Sequence, residues 1–322
     1  MNEKPVCPEC TLDRRRFVKL AGAGMLTAGA ASSWSKLLAA PTPTSHAETL
    51  VAEFYKSLSP TQRNVICLPF DDPRRNRISP NWHVTEPNIG DDFYTAAQRD
   101  LIAKILKGVT SEEGYERIVR QMDDDAGGIE FYSVALFGIP GMGKFEWEMT
   151  GRHLTIRADG NSVDKMAFGG PIVYGHGEET PKDNLFFYQT KMANKVFAAL
   201  DPKQRDQALL KKAPRETDVP IQGKDGRFPG LPVTEMSQDQ RKLLQETVRI
   251  MLKPYRREDI DEAMGIIEQG GGFNALSMAF YQQGDLEHDK VWDIWRVEGP
   301  NFVWHFRGAP HVHTYVHIGN PG

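Results

Sequence analysis

The sequence Phe145-Glu146-Trp147-Glu148-Met149 decides the fold class of this chain. Its apolar residues alternate with glutamates, which is the pattern of a β-strand with one buried face. The turn sequence Asp159-Gly160-Asn161 follows, and apolar residues return at 163–168. We therefore predict an antiparallel β-hairpin whose two strands lie at 145–149 and 163–168.

Helical spacing of apolar residues precedes the strands in both halves of the chain. In the first half it predicts helices over 48–58, 91–107 and 112–122, with Asp91 capping the second, and a strand over 171–174. In the second half it predicts helices over 184–200, 237–252 and 257–269, then strands over 291–297 and 302–306. Helices followed by strands are typical of an α+β domain with an antiparallel sheet.

The two halves share four groups of residues in the same order, which indicates an internal duplication. The groups are Leu58/Pro60/Gln62/Arg63 with Leu200/Pro202/Gln204/Arg205, Gln98/Arg99/Leu101 with Gln240/Arg241/Leu243, Gly127/Gly128/Ser133/Ala135 with Gly271/Gly272/Ser277/Ala279, and Phe145/Trp147/Gly151 with Phe302/Trp304/Gly308. We predict one domain over 48–322, made of repeats at about 48–180 and 184–322 that are related by a pseudo-twofold axis.

The composition describes a globular protein and makes some classes of function improbable. The chain has 322 residues, of which 40% are hydrophobic, and this is enough for a large core. Its net charge of -4 and its pI of about 6.2 provide no broad cationic surface, so we expect no nucleic-acid partner. Three cysteines are too few for a disulfide framework.

An export signal is predicted at the start of the chain. Residues 13–19 read Asp-Arg-Arg-Arg-Phe-Val-Lys and resemble the twin-arginine translocation consensus. The weakly apolar stretch at 17–31 is about half as long as a comfortable membrane span, so we expect a cleavable signal and no permanent anchor. An amphipathic helix retained in the fold is the alternative. We predict a signal peptide and linker over 1–47, with cleavage after Ala40 or, by preference, Ala47, and a periplasmic or secreted protein that meets the twin-arginine translocase.

Histidines near the end of the chain suggest a metal site. In a strand, His311 and His313 point to the same face and can bind one ion, whereas His317 lies about 13 Å from His313 and is too far. By the proposed repeat, His153 occupies the position of His311, so a pseudo-twofold packing would bring it to the pair. We therefore predict His153, His311 and His313 as metal ligands.

A second polar group surrounds His176 in the glycine-rich sequence Gly-His-Gly-Glu-Glu at 175–179. Flexible backbone beside His176 and Glu178 suits a catalytic acid–base pair or a fourth metal ligand. The loop at 215–233, rich in Pro and Gly, is long enough to cover a site. For each histidine taken singly, the alternative is an ordinary structural residue.

Several of these motifs together resemble a bacterial family called domain of unknown function 3500. They are Gly151-x-His153-Leu154-Thr155, Phe168-Gly169-Gly170-Pro171, and Glu298-Gly299-Pro300-Asn301-Phe302 leading to His311-Val312-His313. Members are similar in pairing a Gly-His-His-Leu segment with a late His-x-His, and many carry export signals. Arg152 stands where that segment has its first histidine. The resemblance implies a domain without assigning an activity.

The sequence thus supports three hypotheses of function. The first is an exported metal-dependent enzyme, a hydrolase or an oxidoreductase, that holds zinc, copper or iron on its three histidines and acts on a small-molecule substrate. The second is a non-catalytic exported module that binds an unknown ligand. The third is a protein whose histidines are structural and bind no metal.

Overall fold

The computed structural model describes residues 40–163 and 165–320. Most of the predicted export signal therefore lies outside the described residues. The boundary predicted at Ala47 falls inside the first described helix, where Ala47 is fully buried. Among the described residues, no helix combines the length and the apolar character needed to cross a membrane.

The described residues form an α+β fold, as the sequence predicted. Eight α-helices lie in them: α1 His46–Ser57, α2 Pro60–Ile66, α3 Ala96–Gly108, α4 Glu112–Ala126, α5 Phe187–Ala199, α6 Pro202–Ala208, α7 Gln238–Leu252 and α8 Arg257–Gln269. The predicted helices at 48–58, 112–122, 184–200, 237–252 and 257–269 match observed ones to within a few residues. The short helices α2 and α6 had no separate prediction.

Eleven strands form one mixed sheet. They are β1 Cys67–Leu68, β2 Ser133–Gly138, β3 Phe145–Gly151, β4 Leu154–Ala158, β5 Ile172–His176, β6 Leu209–Leu210, β7 Leu231–Pro232, β8 Ser277–Tyr281, β9 Ile294–Gly299, β10 Phe302–Arg307 and β11 Val312–Ile318. The order is β1-β2-β3-β4-β5-β11-β10-β9-β8-β6, and β7 pairs with β8. The long strands pair antiparallel, whereas β1 and β6 pair parallel with β2 and β8.

The predicted hairpin has a different second strand. β3 pairs with β4 through a connection of two residues, Arg152 and His153, because Gly151 is opposite Leu154. The segment predicted as a strand at 163–168 ends in a short 3₁₀ helix, Ala167–Gly169, in which Phe168 has φ +62°. The turn sequence Asp159-Gly160-Asn161 follows β4, so its turn chemistry was correctly identified but assigned to the wrong pair of strands.

Both faces of β3 are buried, which corrects the prediction of one buried face. Trp147 lies in the core beneath the helices, and Glu146 and Glu148 are equally buried on the other face. There the Arg157 guanidinium pairs with both carboxylates, at 2.9 Å from Glu148. The alternation of apolar residues and glutamates in the sequence predicted two different faces of the strand. It could not predict that the glutamate face is buried, because the loops that bury it are distant in sequence.

Those covering loops run across the sheet on the side away from the helices. Trp82 packs against Phe137 of β2 in one small apolar cluster. Val219, from the long loop before β7, packs with Val303 and Tyr315 in another. The sheet therefore has helices on one face and two ordered loops on the other.

Four helices begin with the same capping arrangement. In each, the cap side chain accepts the N–H of a glutamine three residues later, and that glutamine accepts the N–H of the cap. The pairs are Ser59–Gln62, Thr95–Gln98, Asp201–Gln204 and Ser237–Gln240. Thr95, rather than Asp91, thus caps α3. The capping glutamines also bond each other, Gln62 with Gln98 and Gln204 with Gln240.

These caps give a physical reason for the first two groups of matched residues. The fourth group matches residues of β3 with residues of β10. These two strands do not occupy equivalent positions, because β3 is third from the β1 edge of the sheet whereas β10 is fourth from the β6 edge. By sheet position β3 corresponds to β9, whose two-residue connection to β10 is Pro300-Asn301. His153 therefore corresponds to Asn301 and not to His311. The duplication stays a prediction.

Candidate metal centre

Three histidines from distant parts of the sequence meet at one end of the central strands. The ring centroid of His153 lies 5.1 Å from that of His311 and 4.8 Å from that of His313. The rings of His311 and His313 are themselves 4.8 Å apart. One nitrogen of each residue lies within 4.8 Å of the others. The structure thus brings together all three residues that the sequence predicted as ligands.

The pairing of β5 with β11 explains why they meet. His313 is opposite Gly175 of β5, and β5 in turn pairs with β4, which begins directly after His153. A Cβ at Gly175 would lie 2.2 Å from the carbonyl oxygen of Val312 and 3.3 Å from the Cβ of His153. A glycine is therefore needed for the histidines to approach across this strand.

His153 occupies a strained turn between β3 and β4. Its φ of +59° lies in the left-handed region, which costs a residue with a Cβ on the order of 1 kcal/mol. Its backbone N–H donates to the carbonyl of Pro80 at 2.6 Å, which fixes the turn against the covering loop. Its side chain is almost completely buried. The imidazole is thus held in one position.

Asp125, at the end of α4, fixes the orientation of that imidazole. Its Oδ2 lies 2.7 Å from Nδ1 of His153 and accepts the side-chain amide of Gln121 at 2.8 Å. Its Oδ1 accepts the N–H of Gly177 at 2.7 Å. Burial opposes the ionisation of Asp125, but these three contacts lower its pKa overall. The carboxylate is therefore ionised and occupies Nδ1, which leaves Nε2 of His153 as the nitrogen available to the cluster.

Glu216 contacts Nδ1 of His313 as Asp125 contacts Nδ1 of His153. One of its oxygens lies 3.3 Å from Nδ1 of His313, and the other lies 2.8 Å from Nε of Arg307. Burial opposes ionisation of Glu216, but His313 and Arg307 lower its pKa overall. Burial lowers the pKa of His313 and outweighs the opposing effect of Glu216. A neutral His313 with Nδ1–H directed at Glu216 also presents Nε2 to the cluster.

His311 is the most open of the three residues and has no carboxylate partner. Its Nε2 lies 3.0 Å from Nε2 of His313, and its Nδ1 has no hydrogen-bond partner among the described residues. Burial, and to a smaller extent the unfavourable placement of a third positive charge beside His313 and His153, lower its pKa to about 4. It is thus neutral at physiological pH and can offer a lone pair.

The geometry suits one metal ion bound by three imidazoles. Two nitrogens bound tetrahedrally at 2.0–2.1 Å would be roughly 3.3 Å apart, close to the observed separation of the His311 and His313 nitrogens. A carboxylate behind a ligating histidine is the usual second partner in such centres. Three histidine ligands leave a coordination position for water or substrate.

His176 and Glu178, predicted as acid–base residues, lie beside the cluster. Because Gly175 and His313 share a register position, His176 points to the opposite face of the sheet. Its Nδ1 accepts the N–H of Leu185 at 3.2 Å, and its Nε2 lies 3.3 Å from Asp124. Glu178 accepts the N–H of Thr180 at 2.7 Å, which lowers its pKa. Both residues line an open cleft of about 550 Å³.

The remaining histidines of the C-terminal strands are separate from this cluster. Nδ1 of His317 lies 2.8 Å from the carbonyl of Val219, in agreement with its exclusion on distance. His305 accepts a hydrogen bond from Arg296 at 3.2 Å, and burial lowers its pKa to about 3. Both are structural contacts beneath the covering loops.

Sequence reasoning missed the two carboxylates. Three consecutive aspartates at 123–125 are typical of a solvated surface, but α4 extends to Ala126 and the Asp125 side chain is buried at its end. Glu216 lies in the long loop at 215–233, which was expected to cover a site and does reach the cluster. A signal for Asp125 was its place just before Gly127, whose φ of +92° ends the helix.

Comparison with known proteins identifies the family. No curated protein and no solved structure matches the chain. Residues 40–320 match the family described as Protein of unknown function (DUF3500). The match spans all of the described residues, including the three histidines and both carboxylates, and it confirms the resemblance seen in the motifs. The chain therefore belongs to the DUF3500 family.

Proposed function

We propose that this protein is exported and binds one transition-metal ion on His153, His311 and His313, and that this centre is the active site of a metal-dependent hydrolase or oxidoreductase. One observation carries the proposal: Asp125 and Glu216 occupy Nδ1 of His153 and His313, so that both Nε2 atoms are free to face the same point. Zinc, copper and iron all accept such a set of imidazoles.

The local structure supports a ligand role over a purely structural one. His153 has an unfavourable backbone conformation, so this turn reduces stability unless it serves another interaction. Imidazoles held close together gain little from one another. A bound cation would give all three a common partner and would be stabilised by the two carboxylates behind them.

The surroundings also support chemistry at the centre. His311 is only partly buried, which gives a substrate access, and a bound metal would polarise a substrate oxygen or lower the pKa of a bound water. We assign His176, with its partner Asp124, and Glu178 to proton transfer in the neighbouring cleft. The expected substrate is a small molecule.

Export by the twin-arginine translocase is supported by the sequence at 13–19. That route carries folded proteins, and folding here would bring the three ligands together before transport. A periplasmic or secreted location follows from this proposal.

Metal analysis of the purified protein tests the centre. We expect about one metal ion per chain, retained after dialysis, and loss of the ion in His153→Ala, His311→Ala and His313→Ala variants that keep the circular dichroism of the parent. His83→Ala, at an exposed histidine outside the cluster, serves as the control and should keep the metal. A folded protein that takes up no zinc, copper or iron under any loading condition would show that the histidines are structural. A stoichiometric metal without turnover in hydrolase and oxidase screens would favour a non-catalytic binding module.

A further inference from the structure

Gln121 of α4 joins the carboxylate behind one histidine of the cluster to the turn that carries this histidine. Its side-chain amide nitrogen lies 2.8 Å from Oδ2 of Asp125 and 3.1 Å from the carbonyl oxygen of Arg152. Arg152 and His153 form the connection between β3 and β4, and the same oxygen of Asp125 lies 2.7 Å from Nδ1 of His153. One buried amide therefore holds both the partner of His153 and the backbone just before it.

Tyr132 closes these contacts into a ring around the turn. Its hydroxyl donates to the carbonyl of Arg152 at 2.7 Å and accepts the amide of Gln121 at 3.1 Å. A Cβ at Gly151 would lie 2.2 Å from Cδ1 of Tyr132, so the tyrosine packs directly against the end of β3. The contacts thus form a closed loop that starts and ends at the connection between β3 and β4.

The surroundings of Gln121 require a side chain that donates hydrogen bonds. An ionised carboxylate and a backbone carbonyl can only accept, and the Tyr132 hydroxyl uses its own hydrogen on the carbonyl of Arg152. The NH₂ group of Gln121 therefore faces all three oxygens and shares its two hydrogens among them. A glutamate would place a second negative charge beside Asp125, and an apolar residue would leave these oxygens without this donor.

The strain in the turn gives this ring of contacts a consequence for the cluster. His153 has φ +59°, so its backbone would relax toward a more favourable conformation if the contacts that hold it were removed. The strand β11, which follows His311 and carries His313, is separated from β4 by β5. A small rotation of the turn would therefore move the imidazole of His153 relative to the other two.

We propose that Gln121 is a positioning residue of the metal centre. Its amide holds Asp125 and the connection between β3 and β4 in one arrangement and thereby directs the imidazole of His153 toward the other two ligands. This inference rests on the proposed metal centre and names a residue that keeps its geometry. A purely structural glutamine would stabilise the fold without affecting the arrangement of the ligands.

Cobalt binding by the Gln121→Met variant tests this assignment, because methionine keeps the approximate length of the side chain and removes its donors. We expect the cobalt affinity to fall by about three- to tenfold, less than for a direct partner of a ligand. The visible spectrum of the fully loaded variant should also change, since it reports the geometry of the ligands. If Gln121→Met does not fold, Gln121→Asn, whose amide is one methylene shorter, is measured with the same expected outcomes.

Gln189→Met is the matched control for a buried glutamine. Gln189 is fully buried and accepts the hydroxyl of Tyr174 at 2.8 Å. Among the described residues it forms no hydrogen bond with the three histidines or with their two carboxylates. Its replacement should reduce the stability of the protein to urea, as Gln121→Met does, but leave the cobalt affinity and the spectrum unchanged.

Two further variants separate positioning from general stabilisation. Tyr132→Phe removes one hydroxyl of the ring and should change the spectrum in the same direction, with a smaller loss of affinity. In the double variant Gln121→Met/Asp125→Asn the loss should be smaller than the sum of the two single losses, because Gln121 acts partly through this carboxylate. Parental affinity and spectrum in the folded Gln121 variant, or fully additive losses, overturn the assignment.

Failure of the metal centre is a distinct result. If the parent protein takes up no cobalt, the proposed function fails, and the imidazole ¹⁵N signals of His153 are then measured in the metal-free protein. Signals that shift in Gln121→Met and stay unchanged in Gln189→Met would still support positioning of His153 by Gln121. Signals that stay unchanged in both variants would overturn it.

Discussion

The Oδ2 atom of Asp125 lies 2.7 Å from Nδ1 of His153, and both side chains are almost completely buried. This contact joins the end of α4 to the turn between β3 and β4, and it determines which nitrogen of His153 faces His311 and His313. The orientation of one residue on the sheet is therefore set by a helix that supplies no ligand of its own.

Replacing Asp125 with Asn should weaken metal binding by about 10–100-fold, because the imidazole loses its charged partner and part of its fixed orientation. Competition with a chelator of known affinity measures the effect. Asp124→Asn is the matched control, since Asp124 contacts His176 and none of the three ligands. Equal metal affinity in Asp125→Asn and the parent would contradict a supporting role for this carboxylate.

Replacing Glu216 with Gln should weaken metal binding less than Asp125→Asn does. Its contact with His313 is longer, at 3.3 Å, and its carboxylate is shared with Arg307. The same chelator competition applies, with Glu179→Gln as a control on an exposed carboxylate. A loss as large as that of Asp125→Asn would mean that the two carboxylates support the metal equally.

The stability of the protein should fall as the pH rises from 5 to 8, partly through Glu262 on α8. Burial and the carboxylates of Asp159 and Asp259 raise the pKa of Glu262 from 4.5 to about 8. Between these values the folded state keeps a proton that the unfolded state releases, so the free energy of unfolding decreases with rising pH. Glu262→Gln should reduce that decrease by about 3 kcal/mol.

Urea denaturation at pH 5 and pH 8 measures this difference. Glu268→Gln, at an exposed glutamate of the same helix, is the control and should retain the pH dependence of the parent. If the free energy of unfolding falls between pH 5 and pH 8 by the same amount in Glu262→Gln as in the parent, this carboxyl group does not hold the extra proton in the folded state.

Substituting Lys for both Arg14 and Arg15 should abolish export, because the translocase recognises consecutive arginines. Cell fractionation with an antibody against the folded domain measures the location. Arg16→Lys is the control, since this residue occupies the variable position of the motif and should leave export intact. Export that survives the double substitution would require another route.

The sequence predicted the helices better than the sheet. Apolar spacing identified α4, α7 and α8 because a helical period depends on residues close in the chain. The partner of β3 was wrong, because the turn residues at 159–161 were more typical of a turn than Arg152 and His153, which actually form the connection. A left-handed histidine gives no local signal.

The proximity of the three histidines was predicted, but partly for the wrong reason. Spacing in a strand was sufficient for His311 and His313. His153 was assigned through a supposed equivalence of β3 with β10, whereas it reaches the pair because β4, β5 and β11 are neighbours in the sheet. Asp125 and Glu216 were not predicted, since burial of a carboxylate depends on distant segments that cover it.

The adjacency of β5 and β11 also constrains the order of assembly. Neighbouring strands such as β2 and β3, or β9 and β10, pair through short connections, but this central seam joins segments far apart in sequence, and such closures are slow because they carry a large entropic cost. Until the seam closes, His153 lies on one side of it and His311 and His313 lie on the other. In the proposed metal centre, uptake of the ion therefore belongs to the last stage of folding, and the rate of metal uptake would measure the rate at which this seam forms.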